Sequence, residues 1–254
     1  MNRREMMTRA AATTVAASLP YSAFSAGHQG DMIATDAGEV TVFPVSHASV
    51  VLKVAGGIIY VDPVGDAGLY ADLPPPDMVL ITHEHGDHFN KDVLQGIGAG
   101  ALPMITNPAV FGKLEGGLSG QAAALSNGQS SELLGITIDA VPAYNTTPER
   151  ANFHPQGRDN GYVLTIGDFR IYVSGDTEDT DEMRALEGID LAFVSMNLPF
   201  TMDVNQAASA VKEFRPRIVY PYHYRGRDGG TQDPAELARL VGDASQVRMA
   251  PWYG

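Results

Sequence analysis

Met78-Val79-Leu80-Ile81-Thr82-His83-Glu84-His85-Gly86-Asp87-His88 decides how this chain is read. The first four residues form an apolar run with the length and composition of a buried strand. Three histidines and an aspartate follow within six residues. Imidazole and carboxylate are the ligands that zinc and similar borderline cations prefer. On a tight turn after a strand, alternate side chains can converge on one ion. His83 and His85 are the best candidates for a first ion, and Asp87 with His88 for a second. A single histidine after a strand is usually a surface or capping residue. Three with an aspartate at this spacing, in a chain with seven histidines, point to a metal site.

Outward from this stretch, short strands dominate. Val40, Val42 and Phe43 begin one; Ser49 to Val54 and Gly57 to Val61 read as a hairpin turning at Ala55-Gly56. Asp62-Pro63 ends the last of these, and Pro74-Pro75-Pro76 is a rigid spacer before the motif strand. After the motif, Asn90 caps a short helix to Gly96, Met104-Ile105-Thr106 is a strand, and Pro108 opens a helix through Leu114. Gly135 to Val141, Tyr162 to Ile166 and Phe169 to Val173 are strands, the last two joined by Gly167-Asp168. Asp181 to Glu187 is helical, Leu191 to Ser195 is an apolar strand, and Asp203 caps a helix over Val204 to Phe214 that Pro216 ends. Ile218-Val219-Tyr220 leads into His223, and Asp233-Pro234 starts a final helix. Strands come first, then alternate with helices, and the second half repeats this loosely. The pattern predicts an α/β protein with two sheets packed face to face and helices outside.

The HxHxDH motif after a buried strand resembles the metallo-β-lactamase superfamily, and its sub-pattern is similar to single-domain hydrolases near the ascorbate-phosphate lactonase branch. Further matches run in family order: Ser46-His47-Ala48-Ser49, Val61-Asp62-Pro63, Pro142-Ala143-Tyr144-Asn145, Phe153-His154-Pro155, Ser174-Gly175-Asp176-Thr177, Phe200-Thr201-Met202-Asp203 and Pro221-Tyr222-His223-Tyr224. The resemblance implies a four-layer αββα sandwich over residues 39–254, with Asp176 bridging two ions and His223 as the last ligand of the second. It also exposes a departure. Family members commonly carry a ligand histidine where this chain has Tyr144-Asn145, and Asn is a poor zinc ligand. His154 is the substitute, with three roles open to it: first-site ligand, transition-state donor or plain loop residue. His47 resembles a histidine near the metal pocket of this sub-family, or is a core histidine. Asp62 is a candidate to orient the His-rich loop, or simply ends its strand. Glu84 faces away from its neighbours. Tyr222, Tyr224 and Arg225 flank His223, either as a surface cluster or as contacts to a substrate carboxylate or phosphate.

The resemblance implies a metal-dependent hydrolase. Two cations, zinc first and a single ion, iron or manganese as the other options, would generate a metal-bound hydroxide that cleaves a lactone, amide or phosphodiester bond. Asp87 would orient the nucleophile as well as bind metal, and His154 or a tyrosine would stabilise the oxyanion. Two alternatives stand beside it: a mononuclear iron dioxygenase of the same fold, and a periplasmic metal-binding module with a decayed site.

Composition narrows the partners. The 254 residues carry 17 basic and 30 acidic side chains, a net charge of −13, and no cysteine. An acidic surface without a Lys/Arg run disfavours nucleic acid and leaves a small-molecule substrate. Asn2-Arg3-Arg4-Glu5 followed by a weakly apolar Ala/Thr stretch and Ala23-Phe24-Ser25-Ala26 reads as a twin-arginine export signal over 1–26. Residues 27–38 then read as a flexible lead-in. The protein is therefore expected in the periplasm or secreted, with no stable membrane insertion.

Overall fold

In the computed structural model, which describes residues 30–36 and 38–253, fourteen strands form two seven-stranded sheets. The segment read as an export signal lies outside the described residues.

The first sheet runs in sequence order: β1 (Asp31–Thr35), β2 (Gly38–Ser46), β3 (Ser49–Val54), β4 (Gly57–Val61), β5 (Met78–Ile81), β6 (Met104–Thr106) and β7 (Ala122–Ala124). The second holds β8 (Ser130–Leu133), β9 (Ile136–Ala143), β10 (Asp159–Ile166), β11 (Phe169–Val173), β12 (Leu191–Ser195), β13 (Ile218–Tyr222) and β14 (Gln246–Val247). Each sheet begins with four antiparallel strands and finishes with three joined in parallel, so the loose repeat read in the sequence is a duplicated architecture. Parallel strands are covered on both faces, and Met78 to Ile81 and Leu191 to Ser195 are buried throughout.

Alternation along β3 shows how the layers are built. Val50 and Leu52 point into the space between the sheets, where they meet Ile138, Tyr162, Leu164, Val173 and Phe193. Val51 points outward into a second cluster with Val93 and Leu94 of α1 (Lys91–Gly96) and Val110 of α2 (Pro108–Phe111). Outside the second sheet, Ala207, Val211 and Phe214 of α4 (Val204–Phe214) pack with Met183 of α3 (Asp181–Arg184) and Leu237 of α5 (Pro234–Val241). The order helix, sheet, sheet, helix is the αββα sandwich that the sequence led us to expect.

Several elements differ from that expectation. Residues 31–35, taken as lead-in, form β1, paired with β2 from Asp31↔Val42 to Thr35↔Gly38. Ala122-Ala123-Ala124 has little strand propensity, yet it closes the first sheet against Met104 to Thr106. The Pro108 helix ends at Phe111 rather than Leu114, and that from Asp181 ends at Arg184. The C-terminal tail returns to the core. Trp252 is 1% exposed, packs edge-on to Phe193 and Tyr222, and its carbonyl accepts from His47 N at 3.2 Å.

α4 begins with a capping box. The Asp203 carboxylate accepts from Asn205 N and Gln206 N, and Gln206 Oε1 accepts from Asp203 N. Asp203→Ala should cost about 1 kcal/mol and lower Tm by about 3 °C, read by calorimetry.

Candidate metal centre

β5, β11 and β13 all end at one rim, and the side chains that follow them meet there. The strand ends supply the His-rich turn, Asp176 and His223, and the β2–β3 and β9–β10 connections add His47 and His154. Six of the seven histidines of the chain thus converge; the seventh, His28, lies outside the described residues.

Asp176 sits at the middle. It is buried, and its two oxygens face different partners. Oδ2 lies 3.5 Å from His154 Nε2 and 4.0 Å from His83 Nε2. Oδ1 lies 3.2 Å from His88 Nε2 and 3.4 Å from His223 Nε2. His83 Nε2 and His85 Nδ1 approach to 3.0 Å, which completes a set of His83, His85 and His154. On the other side, Asp87 Oδ2 is 3.4 Å from His223 Nε2 and 3.3 Å from His47 Nε2. Asp87 is about half exposed, so the centre has a buried floor and opens beside Asp87.

Three residues at this rim, His47, Asp62 and His223, have left-handed backbone with φ of 53°, 46° and 49°. Such conformations are costly for residues with a Cβ and cluster at functional sites. Gly175, at φ 60°, precedes Asp176; a Cβ there would meet Asn160 O at 2.7 Å, so only glycine lets the chain turn Asp176 inward.

Outer contacts fix which nitrogen of His88 and of His154 faces the centre. Asp62 is fully buried. It accepts from Thr82 N at 2.7 Å, from Thr82 Oγ1 at 2.6 Å and from His88 Nδ1 at 2.8 Å, which leaves His88 Nε2 for Asp176. Asn145 does the same for His154: its Oδ1 lies 2.8 Å from His154 Nδ1, its amide donates to Phe200 O, and its backbone N donates to His154 O. Asn145 therefore fixes the orientation of the His154 ring. Glu178, buried beside Asp176, anchors the loop that carries His154. It accepts from Thr146 N, Thr146 Oγ1 and Thr147 N at 2.6–2.9 Å and pairs with Arg150.

Burial lowers the basicity of His83, His85 and His47, and takes His154 down to about 4, so these imidazoles are neutral near pH 7. His88 is raised well above its ordinary value: burial opposes its charge, but Asp176 and Asp62 on its two sides outweigh this. Burial also opposes ionisation of Asp176 and Asp87. The surrounding histidines win, and both carboxyls stay well below their ordinary range. His88 Nε2, His154 Nε2, His223 Nε2 and Asp176 Oδ1 are buried and make no hydrogen bond among the described residues. Buried polar atoms without partners are rare. Imidazole nitrogens and ionised carboxylate oxygens aimed at a common space fit divalent cations of the nitrogen-preferring kind.

The model of the β-lactamase superfamily domain matches residues 41–223. The chain belongs to the metallo-β-lactamase superfamily. Among relatives of known sequence, a UPF0173 metal-dependent hydrolase of Pyrococcus horikoshii is 32% identical over 186 residues, covering 69% of this chain and 79% of the relative. Among solved structures, a provisionally assigned metal-dependent hydrolase of Parabacteroides distasonis is 40% identical, with a TM-score of 0.78, over 89% of this chain and all of that one. The diiron β-hydroxylase CmlA of Streptomyces venezuelae matches at a TM-score of 0.66 and 18% identity, over 83% of this chain and 52% of its own, which shows the shared fold alone. The superfamily member described here is thus a metal-dependent hydrolase at the level its relatives define.

All seven residues singled out in the sequence for metal or catalysis, His83, His85, Asp87, His88, His154, Asp176 and His223, lie in this centre. Tyr222 is not part of a surface cluster: it is fully buried, with its ring against Phe193 and Trp252. Glu84 faces away as expected but is paired with Lys113 at 2.6 Å and Arg158 at 3.7 Å. Asn145, Glu178 and Tyr253 act here without having been predicted. Tyr253 Oη lies 2.8 Å from His47 Nδ1, a contact across 206 residues that no local pattern could signal.

Proposed function

We propose that this centre holds two divalent cations, with zinc as the metal, and that the protein hydrolyses a lactone, amide or phosphodiester bond in a small molecule. The observation that carries the reading is the position of Asp176, whose two oxygens face two different groups of imidazoles. His83, His85 and His154 would hold one ion with Oδ2, and Asp87, His88 and His223 the other with Oδ1. A donor set this rich in nitrogen suits zinc better than the oxygen-seeking cations. When bound, such ions supply an acidified water and polarise a carbonyl or phosphoryl oxygen.

The chain's own residues do the rest. Asp62 and Asn145 hold the Nδ1 sides of His88 and His154, which keeps each Nε2 pointing inward. That arrangement favours His154 as a ligand over a transition-state donor or a loop residue. Asp87, open to solvent on one side, is placed to orient the attacking water. An iron dioxygenase with two histidines and one carboxylate would leave three of the five imidazoles without a task; bound iron and oxygen uptake would mark that alternative.

Metal-loaded protein should hydrolyse at least one member of a panel of lactones, amides and phosphodiesters. It should lose that activity on chelation and regain it with zinc. Tight metal binding with no turnover across the panel would instead identify a decayed binding module. Asn145→Ala should leave the fold intact and weaken retention of one ion by about 10–100-fold, measured by chelator competition; unchanged retention would remove Asn145 from this role. The acidic composition and the twin-arginine start support an exported protein with a small-molecule partner. Cell fractionation tests export: recovery of all the protein in the cytoplasm would contradict it.

A further inference from the structure

The ten residues after His223 carry a feature that the metal centre does not use. Arg225 stands over the ring of Tyr253 at 4.1 Å, and Arg227 over the ring of Phe200 at 5.3 Å. Both arginines are exposed, and neither guanidinium makes a hydrogen bond or ion pair among the described residues. Every other described arginine has one. Arg150, Arg158, Arg184, Arg217, Arg239 and Arg248 pair with carboxylates, and Arg170 and Arg215 donate to backbone carbonyls. What sets Arg225 and Arg227 apart from the other described arginines is that each guanidinium lies over an aromatic ring with no hydrogen bond or ion pair of its own among the described residues.

Their platforms tie them to the centre. Tyr253 Oη contacts His47 Nδ1 and accepts from Arg225 N at 3.2 Å, and its ring packs edge-on to Tyr224 at 4.8 Å. His47 in turn lies against His223 and Asp87. Phe200 packs edge-on to Phe153, the neighbour of His154, and its carbonyl receives the Asn145 amide. One arginine therefore stands beside the Asp87–His223 side of the centre and the other beside the His154 side. A guanidinium stacked on an aromatic ring keeps its edge donors free and loses little side-chain freedom on binding, which suits planar, two-pronged recognition of a carboxylate or phosphate.

We infer that the substrate carries an anionic group, a carboxylate or a phosphate, that Arg225 on its Tyr253 platform holds at the mouth of the centre, with Arg227 on Phe200 as the second cation. This rests on the hydrolase reading for the place of the reacting bond, and the test separates the two. Calorimetry on the zinc-loaded protein would compare α,ω-dicarboxylates from malonate to adipate with monoacids of equal chain length, and with ω-phosphonocarboxylates. At the chain length that spans the gap, the second anion should tighten binding about tenfold. Arg225→Ala should bring the ratio close to one, Arg225→Lys should keep part of it, and the distant Arg239→Ala should keep all of it. Metal content measured on each variant serves as the check of folding. A preference for the phosphonates points to a phosphate-bearing substrate, and a preference for the diacids to a carboxylate-bearing one. Equal binding of monoacids and diacids at every length, or a preference that survives in the double variant Arg225→Ala/Arg227→Ala, would overturn the inference. Absence of turnover on any ester, lactone or phosphodiester, with the preference intact, would sink the hydrolase reading alone.

Discussion

Asp176→Ala should release both ions and lower hydrolysis by about 10³-fold or more. Both sets of imidazoles depend on this carboxylate: the His83 and His154 side faces one oxygen, and the His88 and His223 side the other. Removing it also takes away the negative charge among the buried histidines. Asp176→Asn separates the metal effect from folding, because the amide fills the same volume but is uncharged and offers one oxygen instead of two. Metal analysis and circular dichroism on the Asn variant should show a native fold with little metal. A variant that keeps two ions would remove Asp176 from the bridging position.

Asp62 carries the second large effect. Three donors converge on its carboxylate in a site closed to solvent: Thr82 N, Thr82 Oγ1 and His88 Nδ1. Asp62→Ala takes the carboxylate from all three, leaving Thr82 N without a partner, and should cost about 3–5 kcal/mol, lowering Tm by about 10 °C. Metal affinity should fall by about 10–100-fold as His88 loses its orientation. Asp62→Asn isolates the charge from the backbone, since Asn tolerates the left-handed φ of 46°. It should keep most of the fold yet still weaken metal binding. Denaturation and chelator competition on the two variants measure the two effects separately, and full stability in Asp62→Ala would contradict the role given to this carboxylate.

How much of this was legible in the sequence follows from the range of each interaction. The His-rich turn was legible because its four donors lie within six residues and follow a run of buried apolar positions. The strands of the core were legible because alternation along β3 and apolar continuity along β5 and β12 are local consequences of which faces are covered. The edge strands were not. Ala122-Ala123-Ala124 is a strand only because Met104 to Thr106 offers it a partner, and Asp31 to Thr35 only because β2 does. The ring around the site follows the same division. Asn145 looked like a loss when judged as a ligand, and its part in holding His154 depends on a loop that returns nine residues later with Glu178 clamping its start. His47 and Tyr253 meet at the scale of the whole chain, and the left-handed backbone at His47 and His223 that brings them together has no signature in residue type.

The central claim is a two-ion centre bridged by Asp176. Its most direct test is the metal content per chain of protein purified without added metal, measured by mass spectrometry beside His154→Ala. Close to two zinc ions per chain, falling to close to one in the variant, is the predicted result. A chain that retains no tightly bound metal, or one ion in both proteins, would contradict it.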